Sequence, residues 1–153
     1  MWSVHFNRKM SDCTAPEIAE AYEDVRNDRT ETNWMLITYA DGSDNVWTLV
    51  GKGEGGLDEL KQNLSDDFRG FGYIRVISGD ELSRRPKFVL IRYVGKSVSQ
   101  FKKTKLTVHG GDVMRVLSQY AVSVDADSID ELTIEDIMDR VQKAGGAHYT
   151  RQE

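Results

Sequence analysis

Residues 87–94 (KFVLIRYV) form a segment with no face to give to water. As a strand it sends Phe88, Leu90 and Val94 to one side and Val89, Ile91 and Tyr93 to the other. A strand that is apolar on both sides needs a covering layer on each, so the chain must supply helices to both faces of one sheet. Three stripes at i, i+3, i+4, i+7 spacing meet that need. The first is Ile18, Ala21, Tyr22 and Val25, with Thr14-Ala15-Pro16-Glu17 reading as a capping box and the helix running to about Asn27. The second is centred on Val113, Val116, Leu117, Tyr120 and Ala121. The third comprises Ile134, Ile137, Met138 and Val141. It starts at Thr133, has Asp136 three residues on, and ends at Gly145-Gly146 with Lys143 in its last turn.

The remaining pattern is β. Residues 34–39 (WMLITY), a turn at 41–45 (DGSDN) and residues 46–50 predict a hairpin. Leu57, Leu60 and Leu64 mark a short helix, residues 72–77 (GYIRVI) a further strand, and residues 122–124 an edge strand. The 153 residues suit one domain. The fold class is α/β of the mixed α+β kind, with a mixed sheet of five to six strands sandwiched between helices. Residues 1–11 read as a loose leader, 12–149 as the domain and 150–153 as a tail. No apolar run reaches the roughly 18 residues of a membrane span, and no signal-peptide core opens the chain, so the expected address is cytoplasmic. Cys13 is the single cysteine, which removes disulfide frameworks and thiolate zinc cages.

Net charge is −5, with 20 basic and 25 acidic residues, which argues against a general nucleic-acid binder. The distribution says more than the sum. Residues 82–111 hold no acid but carry Arg84, Arg85, Lys87, Arg92, Lys96, Lys102, Lys103 and Lys105. Residues 112–140 then hold eight acids against Arg115 and Arg140. Such polarisation orients a molecule in the field of an acidic partner.

The most enzyme-like motif is residues 51–56 (GKGEGG), which matches G-x-G-x-x-G between a strand and a helix. In a dinucleotide site Asp80 would bind a ribose hydroxyl. A tight hairpin before the motif, Glu54 within it and the missing second mononucleotide half oppose that reading and favour a glycine turn. His5, His109 and His148 lack ligand spacing and fall in presumed loops or termini, so no metal site is expected. Asp66-Asp67 and Asp80-Glu81 are neighbouring loop acids rather than an opposed catalytic pair. Cys13 has no positioned base. Trp34, Phe71, Tyr73, Phe88 and Tyr93 lie in or beside strands as core residues, so the RNP-like run 70–74 (GFGYI) has no open sheet face on which to stack bases.

Residues 71–76 (FGYIRV) and 78–91 (SGDELSRRPKFVLI), together with 143–149 (KAGGAHY), resemble the coactosin branch of the actin-depolymerising factor homology family. The similarity runs from about Asp12 to Tyr149. The resemblance implies a helix-sandwiched mixed sheet and a non-catalytic protein that binds filamentous actin, with little monomer binding or severing. It implies no cofactor and no metal, and a monomer. By motif, Lys87 and Lys143 match the family's filament-contact positions, with Arg84 and Arg85 flanking the first. Lys102, Lys103 and Lys105 lead into the long helix that related folds turn to actin, and are expected to give supporting contacts. Residues 108–111 (VHGG) depart from a continuous helix there, which predicts a kink or a late start and weakens any monomer binding. Two alternatives remain beside this reading: a small nucleotide-binding protein using the Gly51 to Gly56 loop, and an adaptor of the same fold for another acidic protein.

Overall fold

The computed structural model describes residues 10–79 and 82–152. The elements run in the order α1 (Pro16–Arg26), β1 (Trp34–Tyr39), β2 (Trp47–Gly53), α2 (Gly56–Lys61), β3 (Arg69–Ser78), β4 (Arg85–Val94), α3 (Gln100–Val116), β5 (Val122–Ala126), a 3-10 turn at Ile129–Glu131, and α4 (Ile134–Gln152). The strands form one sheet ordered β2-β1-β3-β4-β5, antiparallel except for the parallel β4–β5 pair. Val50 is the extra residue of a bulge where Leu36 faces Gly51 and Ile37 faces Leu49.

The two-faced strand has the two layers it requires. Phe88 and Leu90 pack with Met35, Ile37, Phe71 and Tyr73 under α1 and α3. Val89, Ile91 and Tyr93 pack with Trp34, Leu36, Ile74 and Val124 under α2 and α4. Both clusters are closed by fully buried aliphatic and aromatic side chains, each stabilising by roughly 1.5–3 kcal/mol relative to exposure.

Several local expectations shift. The N-cap of α1 is Ala15, without a side-chain bond, because the Thr14 hydroxyl turns back to Asp12 Oδ1. Strands β3 and β4 extend beyond their apolar cores to ten residues each, since the ladder between them continues into polar sequence. The second predicted helix lies further toward the N-terminus: α3 starts after Ser99, whose hydroxyl accepts from Lys102 N–H, and ends at Val116, leaving Tyr120 and Ala121 outside. It runs unbroken through Gly110 and Gly111, because Leu106, His109 and Val113 bury against the sheet and outweigh roughly 1 kcal/mol per glycine. The Thr133 hydroxyl accepts from Asp136 N–H as expected, but α4 passes through Gly145-Gly146 to Gln152 instead of stopping there. Glycine permits a C-terminal turn without compelling one.

His109 is not in a loop. It lies on the buried stripe of α3, and its Nδ1 meets the Tyr39 hydroxyl at 2.7 Å. One turn on, the buried Asp112 carboxylate accepts from both N–H and Oγ of Ser11 at 2.8 Å, and from Arg115 Nη1 at 2.8 Å. Trp47 Nε1 donates to the same Ser11 Oγ at 3.0 Å and its ring stacks on Tyr39. Ser11, assigned to the leader by sequence, is therefore a buried part of the packed domain, whereas the rest of the leader before Met10 lies outside the described residues. Burial pushes Tyr39 up to about 12 and His109 down from 6.5. For Asp112 burial acts upward, but the bonds from Ser11 and Arg115 together hold it below its ordinary value.

A histidine whose folded pKa lies below its unfolded value of 6.5 takes up its proton more readily in the unfolded chain. Its contribution is complete above pH 6.5 and is lost as pH falls toward the folded value. Urea unfolding should show stability dropping as pH falls below about 6.5, and His109→Gln should flatten that drop; equal slopes would contradict it. Asp112, held below its ordinary value of 3.8, stays ionised where His109 begins to take up its proton in the unfolded chain. At Gly111 an added Cβ meets nothing within 4 Å and φ is not positive, so Gly111→Ala should stabilise by about 0.5–1 kcal/mol in the same assay.

Candidate functional site

The sheet register creates an arm. Pairing of β3 with β4 runs from Arg69↔Val94 to Ser78↔Arg85. Strand β1 covers β3 only over Gly70–Ile74, and β5 covers β4 only over Val89–Tyr93. Residues 75–78 and 85–88 therefore project past both neighbouring strands as a two-stranded ribbon. Its root is held by Arg75, whose guanidinium donates to the carbonyls of Val25, Asn27 and Thr30, each at 2.8 Å, while its N–H bonds Asn33 O. Near its end Gly79 takes φ +106°, and a Cβ there would sit 1.9 Å from Ser83 O. Arg84 and Arg85 are exposed and Lys87 is half-buried opposite Val76. Asp80 and Glu81, the acids considered for catalysis and ribose binding, lie outside the described residues.

Alternation places Lys87 and Arg85 on the face of Val89 and Ile91, which is the α4 face. Strand β5 ends at Ala126 beside Tyr93, and α4 begins shortly after, with Ile137 and Val141 buried on that face. Helix α4 therefore covers the face of the sheet toward which Lys87 points, and it carries Lys143. Lys143 is 77% exposed and pairs with Asp139 at 2.9 Å, one turn earlier.

Lys102, Lys103 and Lys105 belong elsewhere. Helix α3 leaves the opposite end of β4, and Arg69, which faces Val94, donates from Nη1 to Lys102 O at 3.1 Å. Nine residue steps of ladder separate that end from Ser78↔Arg85, about 30 Å. The helix also packs on the other face, with α1. Arg69 itself is 8% exposed, paired with Asp44, and lies 4.0 Å over the Tyr39 ring, so it pins the start of α3. Its guanidinium holds the Asp44 carboxyl below its ordinary range. Lys105 sits over Phe101 at 5.3 Å, and Lys103 lines a shallow cleft with Arg92, Asp125, Asp127 and Glu131. The acid-free run, continuous in sequence, is two basic poles in space.

The glycine motif is occupied by the protein itself. Gly51, Lys52 and Gly53 are strand residues of β2 rather than a loop. A Cβ on Gly53 would lie 2.7 Å from Trp34 Nε1 and 2.1 Å from Glu59 Oε1, because the indole donates to that carboxylate at 2.6 Å beside it. Gly55 N–H also donates to Glu59 Oε1, at 3.2 Å. The hydrogen bond from Trp34 and that from Gly55 keep Glu59 below its ordinary pKa. A carboxylate therefore takes the place at the start of α2 where a phosphate would have to sit. Among the described residues no three His, Cys, Asp or Glu side chains converge as metal ligands, and no helix is long and apolar enough to cross a membrane. His5 and His148 lie outside the residues whose side chains are described.

Residues 11–142 match the family described as Cofilin/tropomyosin-type actin-binding protein. Coactosin of Dictyostelium discoideum is 37% identical over 142 residues, covering 92% of this chain and 96% of that protein. The crystal structure of coactosin from Entamoeba histolytica superposes with a TM-score of 0.82 at 29% identity, over 90% of this chain and 98% of that one. The solution structure of mouse coactosin, described as an actin filament binding protein, superposes with a TM-score of 0.69 at 29% identity, over 88% of this chain and 92% of that one.

The packing around the glycine motif sets a stability test. Gly53→Ala forces a methyl group into Trp34 and Glu59 and should cost about 1–3 kcal/mol in urea unfolding, whereas a loop glycine would tolerate it.

Proposed function

Because the chain belongs to the cofilin/tropomyosin-type actin-binding proteins, we propose that it binds the side of filamentous actin through the pole formed by Lys87, Arg84, Arg85 and Lys143. The observation that supports this reading is that the hairpin and the last helix, remote in sequence, share one face of the sheet, the face toward which Lys87 points and on which the helix bearing Lys143 packs. No catalytic step is needed for such a role, and the protein acts as a monomeric module of the cytoplasmic actin cytoskeleton. The coactosin resemblance supports filament preference with little monomer binding or severing. The glycines at 110 and 111 no longer contribute to that preference, since α3 is continuous.

Charge divides the labour. Lys87, half-buried at the root of the arm, is placed for desolvation against an acidic partner, where truncating a buried charge pair costs about 2–5 kcal/mol. Lys143 must exchange Asp139 for a filament carboxylate, a small cost because exposed i, i+4 pairs are worth about 0.3–0.5 kcal/mol. Lys102, Lys103 and Lys105, at the other pole, add long-range attraction and so act on association rate and salt sensitivity.

Co-sedimentation with filamentous actin across a salt series tests the assignment. Wild type should pellet less as salt rises, Lys87→Ala and Lys143→Ala should each lose most pelleting, and monomeric actin should not bind. The Lys102/Lys103/Lys105 triple alanine variant should still pellet at low salt with a shallower salt dependence. Undiminished pelleting of both single variants would remove the Lys87–Lys143 pole as the contact.

A further inference from the structure

Among the exposed large apolar side chains described, Leu82 stands out at 96% exposure, against 63% for the next, Phe101. It is at the end of the projecting β3–β4 arm, between Gly79 and the exposed Arg84 and Arg85. The arm is not a loose loop. Four ladder pairs, Arg75↔Phe88 to Ser78↔Arg85, form it, three guanidinium bonds from Arg75 hold its root to the end of α1 and the segment after it, and a Cβ on Gly79 would meet Ser83 O. A leucine displayed on a pinned support loses little conformational entropy on docking, so most of its transfer energy is available to a partner. Residues 75–88 sum to +2, with Arg75, Arg84, Arg85 and Lys87 against Asp80 and Glu81. This arrangement of an apolar end inside a basic surround matches an interface core with a charged rim.

Resting on the filament-binding reading above, we propose that Leu82 is the apolar anchor of the contact, seated in a hydrophobic depression on the acidic side of filamentous actin while Arg84, Arg85, Lys87 and Lys143 form its basic rim. Arg75 is a positioning residue that holds the arm in its docking pose. Ile77 is half exposed but faces, with its partner Pro86, the side of the arm away from Lys87, so it takes no part. The rim and the anchor differ in their response to salt: charge contacts weaken as salt rises, and apolar burial does not.

The test uses the full chain and filamentous actin, with Kd from co-sedimentation at four salt concentrations. Leu82→Ala should weaken binding by about tenfold at every salt concentration, leaving the slope of log Kd against log salt unchanged. Lys87→Ala should flatten that slope, and Ile77→Thr should match wild type. Arg75→Gln should weaken binding only when Leu82 is present, a non-additivity that a purely structural loss of stability would not produce. Leu82 is on the surface, so a matched unfolding curve confirms that its variant is folded. Wild-type affinity in Leu82→Ala, with the lysine variants still defective, overturns the anchor and leaves the filament reading standing. An equal loss in Ile77→Thr also overturns it, because the contact is then not confined to one face. A wild-type chain that does not pellet at low salt overturns the filament reading and the anchor together.

Discussion

The antiparallel pairing of β3 with β4 is the interaction on which the remaining architecture depends. Its ten residue pairs form the longest ladder in the sheet, and both faces of β4 are apolar through the covered part. Two-sided burial demands α1 and α3 on one face and α2 and α4 on the other. The ladder also exceeds what its neighbours can cover, and the excess is the arm. One set of hydrogen bonds thus builds the core and projects the surface at which we place the filament contact.

Two arginines of β3 fasten that ladder to different neighbours, Arg69 at its end and Arg75 at the root of the arm. Arg69 is buried, satisfied by Asp44, the Lys102 carbonyl and the Tyr39 ring, and ties the first turn of α3 to the sheet. Arg75 is satisfied by carbonyls of the segment that leaves α1 and fixes the root of the arm. In each case the guanidinium engages several groups at once through its forked donors, which a lysine could not match with one point charge. Basic residues that sequence statistics treat alike therefore divide into internal fasteners and exposed contacts. The network of Ser11, Trp47, Tyr39, His109 and Asp112 similarly fastens the start of the domain to α3.

Much of the local structure was legible because it rests on spacing. The stripe Ile18–Val25, the Ile137–Val141 part of the last one, whose first member Ile134 is exposed, the hairpin around residues 41–45 and the two faces of β4 follow from side-chain direction alone. Errors fell where two local signals competed. At His109 a polar side chain followed by two glycines outweighed the Leu106–His109–Val113 period, which correctly places it on the buried stripe. At Gly145-Gly146 a good C-terminal residue was taken for a stop. At residues 51–53 the glycines read as a loop, although close approach of Trp34 and Glu59 is a sufficient reason for Gly53 within a strand.

The sequence by itself determined the layers, the single-domain scale and the charge content of each segment, because burial and periodicity act over a few residues. Resemblance to a family also singled out Lys87 and Lys143 as the positions at which we propose the filament contact. Tertiary structure alone decided which charges stand together. A helix that follows a strand and precedes a parallel neighbour must return along the sheet, so α3 begins at the end opposite the arm, while α4 packs on the other face of the sheet, the one toward which Lys87 points. The run from Lys87 to Lys105 is consequently divided between two poles about 30 Å apart.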